Sequence, residues 1–395
     1  IVAVQFPIEE VTLAGGRWLS VRALDGLRYL VDASRQLAPP GKAPLPMVVN
    51  LSYGSVAGAH DGTALLECAM DELCEKHTQL ALVVAAGNAG GTRRDALGVD
   101  NLAYAPSGAH AHHHLPPQGK VEVSWLVPPN KPIESYLELW FNVPDLNAGD
   151  APYLGRDEVR IQATSPIGET LLLEQCPGMA FNETESRKTH SGLLMFPRVS
   201  QSQRSSMALL VVSATQISST RIEAPSGVWR IQVTNLGPRH LQLDAWVERD
   251  VIPRGERRGQ AARLIGNADG SPDGLTDDNT LNNIGTGNSV FRVGALMSLR
   301  DGTGSLMISP YSSTAAPQAN GPEYSAVADG STASPGVRVS GNLSGTVLRM
   351  NGTSVAAPQA ARSLADFMGS GKPLTQVRRA LSALPSGPRR GKVET

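Results

Sequence analysis

The chain has 395 residues, 41% of them apolar, and its 35 basic and 36 acidic side chains leave a formal charge of -1. This excludes an intrinsically disordered chain and offers no basic excess for nucleic acid, and the length suits about two domains. No apolar run approaches the roughly 20 residues of a membrane helix, and the N-terminus lacks the basic-then-apolar order of a signal peptide. The chain therefore reads as soluble and without a membrane partner, with secretion or a periplasmic location left open. Three cysteines, Cys68, Cys74 and Cys176, are too few for a disulfide framework.

In chain order, "IVAVQFP" at Ile1–Pro7 has a buried-strand pattern with no cap or turn before it, as though the fold began upstream. "SVRALDGLRYLVDASRQL" follows with Val21, Leu24, Leu27 and Val31 at helical spacing, and a Pro/Gly segment ends it. "MVVNLSYG" is a short apolar strand. "DGTALLECAMDELCEKH" is a second helix, with Asp61 or Thr63 as the expected cap, and it leads into the continuous apolar strand "LALVVAAGN". Strands apolar on both faces, alternating with helices, predict a parallel sheet with ligands at the carboxyl ends of its strands, where Ser52, Tyr53, Gly54 and Asn88 stand.

From about Val121 the pattern changes to short alternating segments, "KVEVSWLVPP", "SYLELWFNV", "VRIQATSP", "ALLVVSATQ", "GVWRIQVTN" and "LQLDAWVERD", separated by turn residues. This predicts an antiparallel β-sandwich over residues 119–250, with Trp229 and Trp246 in its core. A polar Gly/Asp/Asn-rich stretch then returns the chain to "SVFRVGAL", another buried strand, so the sandwich reads as inserted between a first part, 1–118, and a second, 251–395. The basic tail "LPSGPRRGKVET" reads as a solvated end.

The stretch "NGTSVAAPQAARSLADF" places a flexible turn before Ser354 and small residues at the start of a helix containing Pro358. A serine there sits at the positive end of the helix dipole, beside backbone N–H groups free to bind a developing oxyanion. Gly352 to Pro358 resembles the Gly-Thr-Ser-x-Ala-x-Pro nucleophile motif of the subtilisin-like serine proteases. "VVNLSYG" resembles that family's substrate-binding strand and "VVAAGN" the strand that ends in its oxyanion asparagine; "ISPYSSTAA" and "SPGVRV" are weaker matches. The resemblance covers about residues 1–90 and 288–368. It implies an α/β fold, a subtilisin-like parallel sheet flanked by helices with the sandwich inserted. It also implies peptide-bond hydrolysis through an acyl-enzyme on Ser354, an oxyanion donor at Asn88, a substrate clamp at Ser52, Tyr53 and Gly54, a protein or peptide substrate and no cofactor.

The family order Asp, His, Ser puts both partners of the serine before "VVNLSYG". No histidine lies between Ile1 and Asn50, and Asp25 and Asp32 fall inside a helix. The reading therefore takes the histidine and aspartate from a polypeptide segment before Ile1. The alternative is a non-catalytic relative that uses the fold for binding or scaffolding. His60, after the substrate strand, reads as a loop residue, and "HAHHH" at His110–His114 as a solvated loop rather than a metal site. Asp329 and "DGLTDDNT" match no calcium-loop spacing.

Overall fold

The structure, a computed structural model, describes residues 1–7, 19–91, 93–94, 106–144, 154–175, 177–184, 189–196, 205–216, 224–248, 261–266, 273–298, 305–317, 319, 321–331, 336–371, 374 and 376. The basic tail and Cys176 lie outside these. The expected α/β class is not what the described residues form. They hold three helices, Leu19–Gln36, Leu65–Lys76 and Thr353–Gly369, against strands gathered in four sheets, two of which are six- and seven-stranded and wholly antiparallel. The chain is mainly β. The helix-strand alternation that suggested otherwise is confined to the first ninety or so residues, and everything after them adds one described helix.

The chain forms two compact units. The first comprises Ile1–Ser55, His60–Gly91 and Asp277–Thr395, and the second Val56–Ala59 and Thr92–Thr276. In the first, Met47–Leu51, Leu80–Ala85, Val290–Ser298 and Tyr324–Asp329 run parallel, while Leu306–Ile308 pairs antiparallel with the end of Val290–Ser298. Every residue of Leu80–Ala85 is buried. Its alternate side chains enter two cores: Ala81, Val83 and Ala85 meet Ala356, Ala357, Ala360 and Leu364, whereas Leu80, Leu82 and Val84 meet Leu27, Val31, Leu66 and Met70. The run of alanines beneath Ser354 thus lets the last helix lie close to the sheet.

Two local expectations fail. Ile1–Pro7 carries no strand and is largely exposed, with only Phe6 half-buried against the Leu27 and Val31 core. An apolar run does not become a strand without a neighbour to complete its hydrogen bonds. The Leu65–Lys76 helix is preceded by Ala64, with no side-chain cap. Asp61 Oδ1 instead accepts from Thr63 N–H at 2.9 Å and Thr63 Oγ1–H at 2.6 Å, closing a turn ahead of the helix.

In the second unit, the strands Lys120–Val127, Ser135–Asn142, Val159–Thr164, Ser206–Val212, Gly227–Asn235 and Leu241–Val247 occupy the two large antiparallel sheets. Inward residues of both sheets, among them Trp125, Leu137, Phe141, Ile161, Trp229 and Leu243, share one core. Trp246, 1% exposed, does not join that core but stacks on His110 with ring centroids 4.7 Å apart.

His110–Leu115 is a strand, correcting the solvated-loop reading of "HAHHH". It pairs with Leu241–Val247, which sets Asp244 opposite His112. Asp244 Oδ1 accepts from His110 Nε2 and His112 Nδ1, each at 2.8 Å. Burial works to raise the Asp244 carboxyl, but these two hydrogen bonds outweigh it and hold the group below the usual carboxylate range. The same bond raises the His112 imidazole, whereas burial lowers His113.

Candidate active site

Ser52, Tyr53 and Gly54 follow the Met47–Leu51 strand, Asn88 follows Leu80–Ala85, and Ser354 opens the last helix. The structure brings them together. Ser354 Oγ donates to the Ser52 carbonyl oxygen at 3.2 Å. Asn88 Oδ1 accepts from Thr353 N–H at 2.9 Å and from Thr353 Oγ1–H at 3.1 Å, and Thr353 Oγ1 accepts from Gly87 N–H at 3.1 Å. With its oxygen committed to Thr353, Asn88 keeps Nδ2 as a donor beside Gly352.

The turn before the serine depends on Gly352 in two ways. Gly352 takes φ 113°, a region that disfavours side chains, and its N–H donates to Tyr311 Oη at 2.9 Å. Thr353 N–H is used by Asn88, so Ser354 N–H is the next helix-start donor, and among the described residues it has no hydrogen-bond partner. Further along, Pro358 lacks the N–H that would otherwise bond the Ser354 carbonyl, leaving that oxygen outside the helix ladder.

Sequence reasoning missed the residues that hold this arrangement. Asn282 Nδ2 donates to the Tyr53 carbonyl at 2.9 Å and to the Ala85 carbonyl at 3.3 Å, and Asn282 N–H donates to the Ala86 carbonyl at 2.6 Å. It therefore ties the ends of both strands together. Gly54 at φ 151° leaves room for that carboxamide, which a Cβ would strike. Asp329, 3% exposed, accepts from Ser309 Oγ at 2.7 Å, from Gly336 N–H at 2.8 Å and from the Tyr311 hydroxyl. Burial first, and then the hydrogen bond to Asp329, push the Tyr311 phenol up to about 12, so it stays protonated. Asn282 carried a weak signal, as a polar residue in a Gly/Asn-rich return to the sheet. Asp329 had been weighed only for calcium.

Glu67, 1% exposed in the Leu65–Lys76 helix, accepts through Oε1 from Thr286 N–H and Oγ1–H, both at 2.7 Å. Burial raises its carboxyl against those bonds. Asp32 forms an exposed pair with Arg35, and His60, at φ 55°, lies in the loop ahead of the Leu65–Lys76 helix. Among the described residues no group of three or more His, Cys, Asp or Glu is placed to hold a metal ion, and no helix is long and apolar enough to cross a membrane.

No family model matches the chain, and no curated protein matches it. Its fold is similar to that of the solved Clostridium perfringens CspB protease, with a TM-score of 0.58 at 17% sequence identity. The match covers 87% of this chain and 58% of that one, so the chain spans rather more than half of the length of the structure it resembles.

Proposed function

We propose that the chain is the serine-bearing part of a subtilisin-like serine peptidase that cleaves peptide bonds through an acyl-enzyme. The observation that carries this reading is the convergence of Ser354, Asn88 and Ser52–Gly54, which are far apart in the chain and joined by hydrogen bonds. Ser354 Oγ attacks the scissile carbonyl carbon and gives its proton to a base. The negative oxygen so formed accepts from Asn88 Nδ2 and Ser354 N–H, the carbon–nitrogen bond breaks, the amine leaves with the proton, and water releases the acyl group. The backbone of Ser52–Gly54 aligns the substrate as an added strand. The fold likeness to a solved protease supports the reading at the level of architecture.

The reaction requires a histidine at Ser354 Oγ and a carboxylate behind it, and the proposal takes both from polypeptide outside the 395 residues. The test is a fluorophosphonate probe applied to the longest natural form of the protein. Covalent labelling that disappears in Ser354→Ala is the expected result. A form that carries the histidine and aspartate yet does not label would replace the peptidase by a binding module.

A further inference from the structure

His112 and His114 serve neither the shared apolar core nor the proposed reaction. Both project from the same side of the His110–Leu115 strand, because side chains two apart share a face. Their rings meet edge to face with centroids 5.0 Å apart. That is the separation two imidazoles adopt on one tetrahedral ion: metal–nitrogen bonds of about 2.0–2.1 Å put the centroids roughly 5 Å apart. His112 is 31% exposed at its side chain and His114 is exposed, so both reach water.

The tautomer is set as well. Asp244 takes the Nδ1–H of His112, which leaves Nε2 as a lone-pair donor. A carboxylate behind a ligating imidazole both fixes the ring and strengthens its donation to a metal. Asp244 is itself locked by His110, 1% exposed and stacked on Trp246, so the support is rigid.

The geometry points to a surface site for a borderline divalent transition cation, Zn2+, Ni2+ or Cu2+, held by His112 Nε2 and the imidazole of His114, with Asp244 as the carboxylate behind His112. The described residues supply two protein ligands and no third, so water or a group of a bound partner completes the shell. Two imidazoles and no thiolate select these ions over Mg2+ and Ca2+.

The test is calorimetric titration of the untagged, full chain at about pH 8, where free imidazole is neutral, with Zn2+ and Cu2+ in turn. One ion per chain is expected, with affinity reduced at least about tenfold in His114→Ala and about 10–100-fold in Asp244→Asn. His77→Ala should change nothing. His114 is exposed, so its variant keeps the fold even if His112→Ala does not. Copper spin resonance gives a second readout, namely loss of one coordinated nitrogen in His114→Ala. Absence of binding, or binding and nitrogen coupling unchanged in His114→Ala, overturns the site.

Discussion

Replacing Tyr311 by phenylalanine tests whether the turn before Ser354 is held from behind. The change deletes one oxygen that serves two partners: it donates to the buried Asp329 carboxylate and accepts Gly352 N–H at 2.9 Å. A hydrogen bond to a charged group contributes about 1.5–3 kcal/mol, and a buried donor left without its acceptor costs about 1–3 kcal/mol. Tyr311 is itself only half-buried, so water recovers part of the loss, and about 3 kcal/mol is expected. For a unit of this size that lowers the calorimetric midpoint by roughly 6–12 °C. Hydrogen exchange at Gly352 should accelerate in step, and Tyr311→Phe and Asp329→Asn should be strongly non-additive, because both remove the same bond. A loss below about 0.5 kcal/mol with Gly352 exchange unchanged would sink the argument, since surface substitutions alone reach that size.

Three other outcomes follow from the same contacts. Removing one oxyanion donor costs about 10²–10³-fold in kcat in subtilisin, and under the proposed function Asn88→Asp and Asn88→Ala should both show that loss in peptide hydrolysis by a form that carries the histidine and aspartate. Only Asn88→Ala should also lose about 1–2 kcal/mol of stability by denaturant titration, because aspartate keeps the acceptor for Thr353; equal stability of the two would remove the Thr353 bonds from the account. Gly54→Ala, at φ 151° and against the Asn282 carboxamide, should cost more than about 1 kcal/mol and weaken substrate binding, read as a raised KM. For Glu67 the folded carboxyl is raised above its unfolded value, so its contribution is fully present below the unfolded pKa and fades as pH rises through the folded one. Wild type should therefore lose stability relative to Glu67→Gln as pH rises upward from the ordinary glutamate range, and parallel pH profiles would contradict this.

Much of the strand pattern was readable because period-two alternation reports one dry face and one wet face. Lys120–Val127, Ser206–Val212 and Gly227–Asn235 are examples. Class was misread because alternation of strand and helix is a local signal, while the balance of sheets depends on the whole chain. His110–Leu115 was hidden because four histidines carry no apolar alternation, and the partners that hold them, the Leu241–Val247 strand and its Asp244 carboxylate, lie more than a hundred positions away. The proposed nucleophile and oxyanion donor stood out through short motifs. Asn282, Tyr311 and Asp329 did not, because each acts through partners that no spacing rule connects to it. Gly178–Thr184 and Thr189–Phe196, paired around a register shift, also escaped notice.

The bonds that join the candidate site carry a kinetic consequence. Thr353 N–H reaches Asn88 across 265 positions, and Asn282 reaches Tyr53 across 229. Closing loops of that length in a flexible chain is slow, because the ordering entropy comes due before the contacts that reward it. Residues 92–276, together with Val56–Ala59, form a compact unit of their own, and folding of that unit shortens the flexible loop that the two flanks must close. A nascent chain that has not yet made the final helix therefore lacks every bond that joins Thr353 and Ser354 to Asn88 and Ser52.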